Sequence, residues 1–75
     1  MRAVTSRQRR ILLLLASGYL QPEIAQIVDR SPRTVSGHLF NLKMKLNANT
    51  TEGVIVRALQ LGVISLDIIT VKPFE

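Results

Sequence analysis

Cysteine is absent from the 75 residues and histidine occurs once, so neither a disulfide framework nor a thiolate metal site can hold this chain together. The one histidine, His38, has no neighbouring carboxylates with which to build a zinc site. There is no nucleophile with a base at useful spacing, no phosphate loop and no paired-carboxylate set, so no enzyme activity, cofactor or small-molecule ligand is expected. The apolar run at residues 11–16 is far too short to cross a bilayer and lies inside a capped helical pattern, which argues against a secretory leader. A cytoplasmic protein without membrane contact is the expectation. Internal repeats, low-complexity segments and long linkers are also missing, leaving one small domain over residues 1–75, with its core within 4–64 and a tail at 65–75. Acidic residues are scarce as well: five Asp and Glu stand against ten Lys and Arg, for a net charge of +5. The excess favours an anionic partner, nucleic acid first.

What the chain does have is apolar residues at helical spacing between cap and stop signals. Thr5 with Gln8 makes a capping box for a first helix over residues 6–17, and Gly18 can take the left-handed conformation that ends it. Ile11, Leu12, Leu14 and Leu15 cover more than half of that helix, with Leu13 the residue expected to stay partly exposed. A second helix over residues 21–28 has Pro22 and Glu23 in its first turn and Ile24, Ala25, Ile27 and Val28 as its apolar side. Asp29 and Arg30 form a turn. A fourth helix over residues 52–61 carries Val54, Ile55, Ala58, Leu59 and Leu61, with Asn49 and Glu52 as a candidate capping box and Gly62 as its stop. The β-branched stretch at 63–71 is either an extended tail or one further helical turn at 66–69.

The third helix, residues 32–46, is the most informative. Ser31 can cap it, Pro32 suits its first turn, and Val35, Leu39, Leu42 and Leu46 recur on one side as an expected buried stripe. A step of 100° per residue then puts Arg33, Gly37, Phe40 and Met44 on the opposite side. Ser36 and Lys43 lie on one flank, Thr34, Asn41 and Lys45 on the other. Two helices joined by three or four residues, the second capped and basic, match the helix-turn-helix pattern, and the fold class expected is all-α.

These residues, in order and at fixed spacing, resemble the LuxR/NarL/GerE-type helix-turn-helix DNA-binding domain. The resemblance spans roughly residues 4–64. It is carried by Thr5 and Arg7, then Ile11, Leu12, Leu14, Leu15, Ala16 and Gly18; by Glu23, Ile24 and Ala25; by Ser31, Thr34, Val35 and His38; by Asn41, Leu42, Lys45 and Leu46; and by Ala58, Leu61 and Gly62. The departures are Gln8 and Arg10 where the family tends to be acidic, Leu20 where it caps with Ser, Ser36 where Lys is common, Asn47 for Gly and Thr51 for Arg. Losing the cap at Leu20 should cost about 1 kcal/mol.

The resemblance implies a tetrahelical domain that reads double-stranded DNA as a regulator, here without a sensory domain. Arg33 is then the candidate for a bidentate pair with guanine, Ser36 for one base hydrogen bond, Gly37 for close backbone approach and Phe40 for a thymine methyl. Thr34, His38, Asn41, Lys43, Lys45, Arg7 and Arg10, with Arg9 as a further candidate, would meet phosphates. His38 is expected to be a hydrogen-bonded structural histidine near the duplex backbone. The family's dimer contact lies on the fourth helix, which points to Val54, Ile55, Ala58 and Leu59 for a homodimer, with about half of these expected in the core instead. The alternative is a protein-binding antagonist that heterodimerises with a larger regulator protein through its apolar fourth helix and tail.

Overall fold

The computed structural model describes residues 3–74. Four α-helices follow in order: α1 (Ser6–Ala16), α2 (Gln21–Ile27), α3 (Pro32–Leu46) and α4 (Thr51–Gln60), then a single 3-10 turn at Leu66–Ile68. No strand occurs among the described residues, and the class is all-α as expected.

Side chains satisfy the free N–H groups at three of the four helix starts. Thr5 Oγ1 accepts from the Gln8 N–H at 3.1 Å while Gln8 Oε1 accepts from the Thr5 N–H at 3.2 Å, completing the expected box. Ser31 Oγ accepts from the Thr34 N–H at 3.1 Å. At α4 the cap is Thr50, whose Oγ1 accepts from the Gly53 N–H at 3.0 Å. The helix therefore starts one residue earlier than the sequence suggested, Glu52 falls at its second position, and the Asn49–Glu52 box does not form. Leu20 offers α2 no side-chain acceptor. Glu23 Oε1 instead takes the Leu20 N–H at 2.9 Å, half of a capping box that offsets part of the missing cap.

The helices end alike. A residue in the left-handed region follows each of them: Gly18, Asp29, Asn47 and Gly62. In each case the next N–H reaches back five residues, as Tyr19 to the Leu14 carbonyl, Arg30 to Ala25, Ala48 to Lys43 and Val63 to Ala58. This is the Schellman arrangement, built twice on glycine and twice on the short polar residues that tolerate positive φ best.

α1, α2 and α4 all pack on α3, whose stripe divides between two apolar clusters. Val35 and Leu39 join Ile11, Leu15, Ile24 and Ala25; Leu42 and Leu46 join Leu12, Val54, Ala58 and Ile64. Leu13 is half-buried as expected, and so is Leu14. Ile27 is a correction: it is 41 % exposed, because the seven-residue α2 inserts Ile24 and Ala25 and turns its last residue outward.

Of the two readings of the tail after α4, the further helical turn forms, as the 3-10 turn at Leu66–Ile68. Ile64 is buried in the core before it, and the chain beyond it comes to the C-terminal end of α1. There the Lys72 N–H donates to the Ser17 carbonyl at 2.7 Å, the Lys72 ammonium pairs with Glu23, and that ammonium lies 5.5 Å from the centre of the Tyr19 ring. Arg9 Nε donates to the Val63 carbonyl at 2.9 Å, holding the start of this strap to α1. No helix among the described residues is long and apolar enough to cross a membrane.

Candidate nucleic-acid interface

Burial of Val35, Leu39, Leu42 and Leu46, none more than 4 % exposed, fixes the rotation of α3 about its axis. Helical geometry then leaves Arg33, Ser36, Gly37, Phe40 and Met44 on one exposed face. The first turn of α3 contains no acidic residue and its last turn carries Lys43 and Lys45, so the partial positive charge of the helix N-terminus stands uncompensated beside Arg33.

The Arg33 guanidinium makes no hydrogen bond or ion pair with any described residue. Ser36 is exposed and its hydroxyl donates to Gln21 Oε1 at 3.1 Å, joining the first residue of α2 to the outer face of α3. Gly37 adopts ordinary helical geometry, and a methyl group built there would meet nothing within 4 Å. Nothing inside the protein requires a glycine at that position. Phe40 and Met44 are 62 % and 68 % exposed and border an open depression of about 450 Å³, lined also by Lys43, Asn47, Ala48 and Asn49.

The remaining phosphate candidates fall into separate groups. Thr34 and Asn41 are exposed and Lys43 is half-buried on the flanks of the same helix. Lys45 is turned away from them: its ammonium donates to the Ala3 carbonyl at 3.0 Å and to Gln8 Oε1 at 2.8 Å. His38 is half-buried and its Nδ1 is enclosed without a partner among the described residues, so the hydrogen bond expected of His38 is not made at that nitrogen. Arg7 and Arg10 are exposed on α1. Gln8, next to Arg7, lies against Lys45, which is about 18 Å along the α3 axis from Arg33, whereas Ile11, next to Arg10, packs with Val35 and Leu39. Arg9 is committed to the tail.

Two of the four dimer candidates are corrected to core residues, in line with the expectation that about half would be. Val54 and Ala58 are at 0 % exposure, because four residues apart on α4 they form the inward face that closes over Leu42 and Leu46. Ile55 and Leu59 are half-buried, while Val56, at 51 %, is the most exposed apolar residue on α4.

Sequence periodicity did not single out Gln21 or Lys72. Gln21 reads as an ordinary first-turn residue, and only the packing of α2 on α3 brings it to Ser36. Lys72 lies 49 residues from Glu23, and no local pattern predicts that pairing.

Residues 2–58 match the family described as bacterial regulatory proteins, luxR family. Among curated proteins, the chain is 39 % identical over 61 residues to the transcriptional activator protein AnoR of Acinetobacter nosocomialis, an alignment covering 81 % of this chain and 26 % of AnoR. It is 40 % identical over 62 residues to the transcriptional regulatory protein MctR of Rhizobium johnstonii, covering 83 % of this chain and 29 % of MctR. Against the uncharacterized response regulatory protein YgeK of Escherichia coli K12 the identity is 35 % over 63 residues, covering 84 % and 43 % of the two chains. The chain thus spans about a quarter to two-fifths of the length of these relatives. No solved structure matches it significantly.

Proposed function

This chain belongs to the luxR family of bacterial regulatory proteins, whose members bind DNA through a helix-turn-helix, and from that membership we propose that it is a sequence-specific transcription regulator with α3 as its reading helix. The observation that carries the proposal is the rotation of α3: its aliphatic stripe is wholly buried, and Arg33, Ser36, Gly37 and Phe40 are left on the free side. With α3 in the major groove, Arg33 donates two parallel bonds to guanine O6 and N7, and Phe40 packs on a thymine methyl. Gly37 admits the backbone close to the base edges. Thr34, Asn41 and Lys43 hold flanking phosphates and set register without reading sequence.

One such module covers a modest area of DNA, and a twofold pair reading half-sites about one turn apart raises both affinity and selectivity. A homodimer therefore belongs to the proposal. Its contact uses the exposed side of α4, Val56 first, with the rims of Ile55 and Leu59. The test is selection of bound duplexes from a random pool with the wild type and Arg33→Ala. A pseudo-palindromic sequence containing a guanine whose selection disappears in the variant supports the function; an unchanged or featureless pool contradicts it.

A second function, heterodimerising with a larger regulator as an antagonist through α4 and the tail, is favoured by one observation, the exposed apolar residues Val56, Leu66 and Val71 on that surface. It predicts that a charge at Ile55 or Leu59 abolishes capture of that regulator and that Arg33→Ala does not.

A further inference from the structure

We propose that Gln21 sets the base preference of Ser36 by consuming its only proton. The inference rests on the DNA-reading function proposed above and deepens it at one position of the site. A serine hydroxyl has one hydrogen and two lone pairs, and a free one rotates to donate or accept as the opposing base requires. An exposed serine on a reading helix therefore discriminates poorly. Here the hydroxyl hydrogen is directed at Gln21 Oε1, 3.1 Å away, and what remains on the oxygen is acceptor capacity alone.

The two partners are held at that distance by the core. Ser36 follows Val35, and Gln21 begins the helix that supplies Ile24 and Ala25; these three apolar residues pack in the same cluster with Leu39. Gln21 is half-buried as a residue, while its bond to Ser36 is exposed, where an approaching base meets it.

Every base pair shows one exocyclic amine in the major groove, N6 of adenine or N4 of cytosine, and places a keto oxygen on the opposite strand. An acceptor-only hydroxyl distinguishes which strand carries the amine. On the strand that Ser36 meets, adenine and cytosine satisfy it, whereas guanine and thymine set oxygen against oxygen. Gln21 thus acts as a positioning residue that turns an indifferent hydroxyl into a reader of amine against keto, without touching a base.

The experiment is selection from a random duplex pool with the full chain, using wild type, Ser36→Ala, Gln21→Ala, Gln21→Glu and Arg33→Ala, each checked by circular dichroism for a native melt. The position read by Ser36 is the one whose preference Ser36→Ala loses. In the wild type that position holds adenine or cytosine on one strand, at about fivefold over guanine or thymine, the worth of one net hydrogen bond. Gln21→Ala relaxes it below about twofold, while the guanine that depends on Arg33 stays. Gln21→Glu keeps the preference, because a carboxylate accepts the same proton, and lowers overall affinity through repulsion of phosphates. A Gln21→Ala pool as sharp as the wild type at that position overturns the proposal, as does a wild-type preference for guanine or thymine there, and both outcomes leave the Arg33-dependent site standing. A wild-type pool with no preferred sequence, or one that Arg33→Ala leaves unchanged, overturns the DNA-reading function itself.

Discussion

The ammonium of Lys45 sits 2.8 Å from the side-chain oxygen of Gln8, fastening the last turn of α3 to the first turn of α1. Gln8 is only 4 % exposed, and its oxygen also receives the Thr5 N–H of the capping box. Removing the lysine therefore costs one of two hydrogen bonds on a buried acceptor that keeps the other, about 0.5 to 1.5 kcal/mol. Lys45→Met is expected to lower the free energy of unfolding by that amount and to leave the salt dependence of DNA binding almost unchanged. Lys43→Met should do the reverse, reducing the slope of log affinity against log salt by about one. Urea titrations and binding isotherms at several salt concentrations check the pair.

Gly37 separates stability from function. The position is helical and open, so Gly37→Ala removes backbone entropy from the unfolded chain and should stabilise the protein by about 0.5 to 1 kcal/mol. The same methyl stands where α3 approaches the groove. DNA affinity is expected to fall by at least about fivefold, the effect of a small steric intrusion at a packed contact. Thermal melts read the first change and fluorescence anisotropy the second.

Asn47 holds φ at 55° at the end of α3. A Cβ in that region costs about 1 to 2 kcal/mol, which asparagine reduces through local hydrogen bonding and glycine avoids altogether. Asn47→Ala is expected to destabilise the fold by about 1 kcal/mol, and Asn47→Gly to leave it equal or more stable. Denaturant midpoints with an unchanged slope would establish both.

Much of this architecture is legible in the chain because its signals are local. Thr5 with Gln8, Ser31 with Pro32, and Gly18 and Gly62 each act within one helical turn, and the four aliphatic residues of α3 announce the buried side at the correct period. The start of α4 was less legible because residues 47–51 offer several good caps in a row, and the choice of Thr50 over Asn49 depends on where the core places the next turn. Val54 and Ala58 carried a dimer assignment by resemblance, but a chain this short needs them to close its second cluster. The Ser36–Gln21 bond and the Lys72 strap join separate elements, so only the packed molecule reveals them.

The strap also makes stability depend on pH. The carboxyl of Glu23 is held below its ordinary value of 4.5 by the hydrogen bond from Lys72, assisted by the Leu20 N–H. A carboxyl whose folded pKa is depressed contributes stability that is complete above the unfolded value and is lost as pH falls through the folded one. Thermal midpoints of the wild type should therefore decline on acidification below about pH 4.5. Lys72→Met should flatten this limb and lower the midpoint at neutral pH. A wild-type and a variant curve that run parallel through the acid range would show that the ion pair does not contribute.

The central claim is that the exposed face of α3 reads bases through Arg33, and the most direct measurement is the affinity of wild type and Arg33→Ala for the selected duplex and for a scrambled duplex at matched salt. The account predicts that the variant loses about 1 to 3 kcal/mol on the selected duplex, the worth of a bidentate pair with guanine, and much less on the scrambled one. Equal losses on both duplexes would reduce Arg33 to a phosphate contact, and no loss on either would contradict the account.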